Sequence, residues 1–252
     1  MSLIRTSTQA DDSIHAGSKA ITYICGVVAS LCLIVSSLII SVEINIGDSA
    51  FFLEEYKKCR VDADLGMEMK DIEYVSDEMM KYLFGKRDDL VIYTNMRGEY
   101  REFFNDREKT HMIDVKNMYD GAVAVRTACL TAAAVLIGIM VCLRRRKAPE
   151  FLARAYLFTC IGAACFFGAI LLFISSYGFT EFWFKFHGVF FTNDLWLLNP
   201  ATDMMILLLP EQFFFDLVFK SLLYFGIITG LLVILSIAKV SFVRHNRHGR
   251  EG

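Results

Sequence analysis

Four apolar stretches distributed along the whole chain restrict its fold more than any other feature. They run from about 20 to 42 ("AITYICGVVASLCLIVSSLIISV"), 121 to 143 ("GAVAVRTACLTAAAVLIGIMVCL"), 152 to 176 and 217 to 238. About 20 residues of helix cross the roughly 30 Å of bilayer hydrocarbon, so each stretch is long enough to span. The 55% hydrophobic content points the same way, because soluble domains hold about 45–50% apolar residues. The first stretch is longer than the apolar region of about 7–15 residues in a signal peptide, and no clear small-residue cleavage site follows it. It reads as an uncleaved anchor.

Lys and Arg in the short flanks set the orientation. Arg144, Arg145, Arg146 and Lys147 follow the second span, and Lys239, Arg244, Arg247 and Arg250 follow the fourth. The tails 1–19 and 239–252 and the loop 144–151 are therefore expected in the cytoplasm. Residues 43–120 and 177–216 are then expected outside together. The longer outer segment is acidic, with 19 Asp and Glu against 12 Lys and Arg. A net charge of −2 leaves no basic face for nucleic acid. Cys25, Cys32, Cys129, Cys142, Cys160 and Cys165 fall within spans and only Cys59 lies outside. With no CxxC pair for zinc, they read as small buried hydrophobes.

The outer segment 43–120 has no proline and no Ser/Gly-rich run, so a folded cap is expected rather than a linker. "MKDIEYVSDEMMKYLFG" places Ile72, Val75, Met79 and Tyr82 at helical spacing with Gly85 as a stop. "DLVIYTNM" (89–96) and "YREFF" (100–104) read as a strand pair around Arg97-Gly98. "DREKTHMIDVKNMYD" reads as a helix capped at Thr110 that runs into the second span. The fold class expected is a membrane protein, an all-α four-helix transmembrane bundle with a small α+β extracytoplasmic cap.

The segment 177–216 is greasy yet carries His187, Asn193, Asp194, Asn199, Asp203 and Glu211. Trp183 and Trp196 sit where an interfacial aromatic belt belongs. Asn199-Pro200 has the form of an N-cap followed by Pro, which predicts a helix of about ten residues ended by Pro210. That piece is too short to span and is expected to lie on or dip into the outer leaflet, covered by the cap. The segment thus forms the wall of a pocket at the membrane surface.

Of five histidines, His15, His245 and His248 fall in the expected cytoplasmic tails, where they need be no more than solvated polar groups. His111 and His187 face outward, each where a loop meets a span, and both at one membrane depth. Asp114, three residues after His111, shares its helical face and has the reach to fix its tautomer, or equally to stand in solvent. No GxSxG elbow, HExxH, phosphate loop or dinucleotide fingerprint is present. Neither outward histidine has an aspartate five residues on. The spans lack a chain of buried carboxylates, so an ion path is not expected. Two bases at head-group level favour chemistry on a lipid or a lipid-modified substrate.

Two blocks carry a family resemblance. "FNDREKTHMIDVKNMY" (104–119) and "FHGVFFTNDLWLLNPATDMMILLLPEQFFFD" (186–216) resemble the signature blocks of lipoprotein intramolecular transacylase (Lit), a bacterial membrane enzyme. The likeness rests on His-Met-x-Asp-Val-Lys at 111–116, Asn-Asp-x-Trp at 193–196 and Pro-Glu-x-Phe-Phe at 210–214. It extends to the layout of four spans and two outer segments. "FFNDRE" lacks the serine of the family pattern before the first histidine.

What the resemblance implies is transfer of the sn-2 acyl chain of an S-diacylglyceryl group onto the α-amine of a lipoprotein's own N-terminal cysteine. The product is an N-acyl, S-monoacylglyceryl (lyso-form) lipoprotein. The family's essential histidines map onto His111 and His187. Asp114, Asn193, Asp194, Asp203, Arg107, Lys116 and Trp196 stand as substrate-binding or supporting candidates. No metal and no cofactor is expected. The expected partners are the membrane and diacylglyceryl-modified lipoproteins, for a monomer in the bacterial plasma membrane with an extracytoplasmic site. The residues by themselves leave two other readings: a non-enzymatic lipid-binding or sensor protein, and a metal-dependent lipid hydrolase using His111, His187 and a carboxylate.

Overall fold

The computed structural model describes the backbone of Ser2–His248, and the side chains of residues 17–246 other than Arg146. The side chains of His15, Arg247 and His248, and all of Arg250, lie outside the described residues. The order of elements is α1 (Ser2–Ile46), α2 (Ser49–Cys59), α3 (Val61–Leu65), α4 (Met69–Leu83), β1 (Tyr93–Met96), β2 (Glu99–Glu102), α5 (Asp106–Arg144), a 3-10 turn (Arg145–Lys147), α6 (Ala148–Tyr177), α7 (Phe179–Phe190), α8 (Met205–Leu208) and α9 (Glu211–His248). Among the described residues the chain is mostly helical, with one small antiparallel sheet. Among the described residues four helices are long and apolar enough to cross a membrane: Gly17–Ile46 of α1, α5, α6 and Glu211–Asn246 of α9.

Contacts divide the chain into two compact units. The first holds most of the apolar lengths of α1, α5, α6 and α9. Ile34, Tyr156 and Phe225 pack together there, and Cys25, Met140 and Ala148 form a second cluster. A Cβ added at Gly26 would come within 3.1 Å of the Ala155 Cβ, so a small residue lets α1 and α6 approach closely. Ser30 and Thr159 donate their hydroxyls to the carbonyls of Gly26 and Ala155, four residues back. In lipid this keeps a hydroxyl from lacking a partner.

The second unit comprises Ile40–Ala124 and Ile170–Leu223. Its core joins α2, α3, α4, the β1–β2 hairpin, α8 and the start of α9 around Phe51, Phe52, Tyr56, Leu65, Phe104, Leu208 and Phe213. Phe213 is the hub, with ring centroids 4.9 to 6.1 Å from Phe52, Phe51 and Tyr56. Burying side chains of this size contributes about 1.5–3 kcal/mol each. In α4 the predicted face of Ile72, Val75, Met79 and Tyr82 is the buried one. Its apolar spacing of 3.6 is why the helix forms and how it docks.

The hairpin closes through Arg97 and Gly98, both at positive φ (53° and 83°), the backbone that a two-residue type I′ turn requires. Its register pairs Tyr93 with Glu102 and Met96 with Glu99, so the strands are shorter than the predicted 89–96 and 100–104. The Arg97 N–H donates to the Gly66 carbonyl at 3.1 Å. Gly66 has φ +64°, and a Cβ there would meet the Arg97 Cγ at 2.8 Å; only glycine fits.

Three expectations need correction. First, α5 begins at Asp106, not beyond Thr110. Asn105 accepts the Glu108 N–H at 3.0 Å while Glu108 accepts the Asn105 N–H at 2.7 Å, a reciprocal capping box. Thr110 instead bonds its hydroxyl to the Asp106 carbonyl within the first turn. Second, no ten-residue helix follows Asn199-Pro200. The Asp203 carboxylate reaches back to the Asn199 N–H at 2.7 Å, closing a single turn, and only Met205–Leu208 is helical. Pro210 opens α9 rather than ending a helix, its carbonyl accepting the Phe213 N–H. Third, the short helix of this region is α7. Its sequence "FTEFWFKFHGVF" gathers Phe179, Phe182, Trp183, Phe186 and Phe190 on one face and Thr180, Glu181 and Lys185 on the other, the helical period of an amphipathic segment.

Candidate active site

Helix α5 has 39 residues, about 58 Å of length and nearly twice the hydrocarbon thickness. Its first four turns carry Asp106, Arg107, Glu108, Lys109, Asp114, Lys116 and Asp120. They are too polar for hydrocarbon, and the apolar stretch of the helix follows them, from near Gly121. His111 stands on this polar stretch. Helix α7, at 12 residues or about 18 Å, is too short to span, and it carries His187.

These two histidines, 76 positions apart in the chain, come together. Their ring centroids are 6.3 Å apart with planes inclined at 34°, and each residue is buried, at 6% and 7% exposure. Phe191 packs against both, 5.3 Å from His111 and 5.6 Å from His187. The Trp196 ring stacks on His187 at 4.7 Å, and the Trp183 ring meets it edge-on at 4.6 Å. Both tryptophans, read from the sequence as a belt, thus also wall in an imidazole.

Electrostatics keep the pair neutral. Burial lowers the His111 pKa to about 4, with the neighbouring His187 and Arg107 pushing the same way and Asp114 opposing. Burial also lowers His187, against a hydrogen bond to the Trp183 carbonyl. That bond, 2.8 Å from Nδ1, fixes the tautomer, because a carbonyl only accepts. Nδ1 carries the proton and Nε2 of neutral His187 is left with a free lone pair. The Nδ1 of His111 is buried without a hydrogen-bond partner.

A strap holds the site closed. Residues 193 and 194 are clipped to α5 by two side chains that bracket His111 on one helical face. The Arg107 guanidinium donates to the Asp194 carbonyl, and Asn193 donates to the Asp114 carboxylate at 2.9 Å. Trp196 donates its indole N–H to the Asn193 carbonyl at 2.9 Å. Asp114 therefore serves Asn193 and not the tautomer of His111. The Asp194 side chain itself stays 80% exposed.

Asp203 and Lys116 are not brought to the imidazoles. The Asp203 carboxylate accepts from the Asn105 amide at 2.8 Å and from the Asn199 N–H. Burial pushes its pKa up, but these hydrogen bonds and that of Thr202 outweigh it and hold the group below the usual range. Lys116 bonds the Leu83 carbonyl at 3.3 Å and pairs with Asp120. Among the described residues no three His, Cys, Asp or Glu side chains gather as metal ligands.

Sequence reasoning passed over Glu108 and Phe191. Glu108 is wholly buried, and its two oxygens accept the N–H groups of Asn105 and Met205, at 2.7 and 2.6 Å. It thereby joins the segment 199–208 to the start of α5. The Asn-x-x-Glu spacing of a capping box was the available signal.

The low pKa of His111 has a consequence for stability. An unfolded histidine titrates near 6.5, so between pH 6.5 and about 4 the unfolded chain binds more protons than the folded one. Stability from this residue is complete above pH 6.5 and falls as pH drops toward 4. Thermal unfolding in detergent at pH 7, 5.5 and 4.5 is expected to show a smaller acid-induced drop for His111→Gln than for the unaltered chain. Equal drops would contradict the assignment.

The family model for lipoprotein intramolecular transacylase Lit matches residues 27–214, well over half the chain. The chain belongs to the Lit family. It is accordingly an acyltransferase, a lipoprotein-modifying transacylase, and a multi-pass membrane protein. The solved structure of the Bacillus cereus Lit, determined in meso, is 20% identical in sequence, with a TM-score of 0.66 over 93% of this chain and 100% of that one. A histidine-to-arginine variant of the same Bacillus cereus protein gives a TM-score of 0.70 over 94% and 99%, also at 20% identity. At that identity the likeness is one of fold. No curated protein sequence matches the chain.

Proposed function

We propose that this Lit family member moves the sn-2 acyl chain of a lipoprotein's S-diacylglyceryl group onto the α-amine of its N-terminal cysteine, leaving the lyso-form. His111 and His187 are the proton-transfer groups, and the site faces the extracytoplasmic side of the bacterial plasma membrane. The observation that carries this is the pair of neutral imidazoles, 6.3 Å apart in an aromatic wall, with His111 on the polar first turns of α5 that precede its apolar stretch.

The substrate's α-amine has a pKa of about 7.7–8.0, so much of it is protonated and inert at neutral pH. The free Nε2 of His187 takes up a proton from the attacking nitrogen. As the N–C bond forms at the ester carbonyl, the carbonyl oxygen becomes an oxyanion. Its collapse breaks the bond between the acyl carbon and the glyceryl oxygen, and that oxygen takes up a proton from an imidazole, with His111 placed to share the transfer. One ester becomes one amide and no water is consumed. Amine and ester belong to one molecule, so proximity replaces an enzyme nucleophile. The Phe191, Trp183 and Trp196 rings exclude water, which would otherwise hydrolyse the ester.

Asp114, Asn193, Arg107 and Asp194 act by holding the strap, and with it Trp196, over His187. Asp203 acts further back, by fixing the segment that the strap belongs to. If the amine is the acceptor, N-acetylating the α-amine of a diacylated lipoprotein is expected to stop transfer while membrane insertion continues. N-terminal peptide mass spectrometry reads the outcome. Release of free fatty acid with no N-acylated product would favour a hydrolase instead.

A further inference from the structure

We propose that the first unit holds a site for an anionic glycerophospholipid, with the phosphate at Lys239 and one acyl chain between α1, α6 and α9. This site is separate from the imidazole pair. Every residue that lines it belongs to the first unit, whereas His111 and His187 belong to the second.

A cavity of about 230 Å³ opens between the three helices. One water needs only about 10–15 Å³, so the space takes a larger guest. Leu33, Tyr156 and Leu232 wall its inner part, and Pro149, Ser236 and Lys239 line its outer part. Leu232 and Lys239 are seven residues apart on α9, about 10 Å of helix rise. That depth suits the glycerol esters and first methylenes of a lipid. A free inorganic anion would lose its hydration against the apolar inner wall, whereas an acyl chain fills that wall and leaves only its head among the polar groups.

Charge selects an anionic head. Glu150 is the only carboxylate among the described side chains of the first unit, and Arg154 pairs with it at 2.9 Å. Arg145, Lys147, Lys239 and Arg244 thus have no carboxylate partner among the described residues. The Lys239 ammonium lies 6.0 Å from the Phe242 ring, the limit of a cation–π contact. The basic turn is fixed beside the cavity: Ala148, next in the chain, is buried and packs with Cys25 and Met140, and Pro149 follows it in the lining.

Ser236 adds a donor. The hydroxyls of Ser30, Thr159 and Thr229 donate to carbonyls of their own helices, but that of Ser236 meets no acceptor among the described residues. A phosphate or ester oxygen supplies one. The positive-inside rule places this end in the cytoplasm, the side where anionic lipids concentrate and basic pockets between spans bind their heads. A zwitterionic lipid carries its own cation and gains less from the uncompensated charge.

Native mass spectrometry of the full chain in non-ionic detergent, titrated with phosphatidylglycerol or phosphatidylcholine, tests the site without any acyl transfer. Phosphatidylglycerol is expected to bind at least about fivefold more tightly. Lys239→Gln should remove about fivefold of that affinity, the worth of one cation near the surface, and Lys239→Arg should keep it. Lys86→Gln, which removes a cation from the second unit, should change nothing. Equal binding of the two lipids, or undiminished phosphatidylglycerol binding by Lys239→Gln, would overturn the proposal. An equal loss in Lys86→Gln would also overturn it, because net charge and not the cavity would then set the preference. Ser236→Ala, a change too small to unfold the bundle, is expected to weaken phosphatidylglycerol about two- to tenfold, and unchanged binding there would remove the hydroxyl and with it the placement of the head.

Discussion

Replacing His111 or His187 by alanine is expected to lower the rate of N-acyl transfer by about 10²–10⁴-fold, the usual worth of a positioned proton-transfer group. The two rings share one walled space, 6.3 Å between centroids. If they act as a unit on one proton inventory, the double variant should be hardly slower than the slower single one. His187→Gln keeps the size of the side chain and a hydrogen bond to the Trp183 carbonyl but has no basic nitrogen at the Nε2 position. It is expected to stay inactive. The assay is mass spectrometry of N-terminal peptides from a diacylated lipoprotein incubated with membranes holding each variant. Thermal unfolding of each variant separates lost chemistry from lost fold, since removing His187 empties space between Trp183, Trp196 and Phe191. Normal transfer by both alanine variants would end the proposed mechanism.

Glu108→Ala is expected to be the most damaging change outside the imidazole pair. It strands two buried N–H groups, of Asn105 and Met205, that the carboxylate now accepts. Each unsatisfied buried donor costs about 1–3 kcal/mol, so a loss of about 2–6 kcal/mol follows. Both ends of the tie loosen together: the first turn of α5, which carries Arg107 and His111, and the turn before α8. Glu108→Gln retains one carbonyl acceptor and should cost less than alanine. Unfolding in detergent, read alongside the transfer rate, tests this; an alanine variant within about 0.5 kcal/mol of the parent would remove Glu108 from this role.

Much of the architecture was legible because it depends on local periodicity. The four apolar stretches, the α4 face of Ile72, Val75 and Met79, and the Arg97-Gly98 turn each announce themselves within a few residues. His111 and His187 were legible as a pair only through the family resemblance and their shared placement beside spans. The misread parts share one cause. Thr110 and Asn199 each look like caps, but the polar groups that decide those helix ends come from elsewhere. Glu108 and Asn105 start α5 four residues before Thr110. Asp203, held by Asn105 from 98 positions away, turns the chain back after Asn199.

The sequence by itself determined the solvent this protein folds in, the number of apolar helices long enough to span, and the residue types available for proton transfer. Those follow from composition and spacing, which act over one element at a time. Only the tertiary structure decided which partner each polar group takes. Asp114 went to Asn193 and not to His111, and Nδ1 of His187 went to the Trp183 carbonyl. The approach of the two imidazoles to 6.3 Å was decided in the same way. Burial energy is non-directional and brings α5 and α7 together without fixing their contacts. The buried hydrogen bonds then select one arrangement, because each unmade one costs more than a made one contributes.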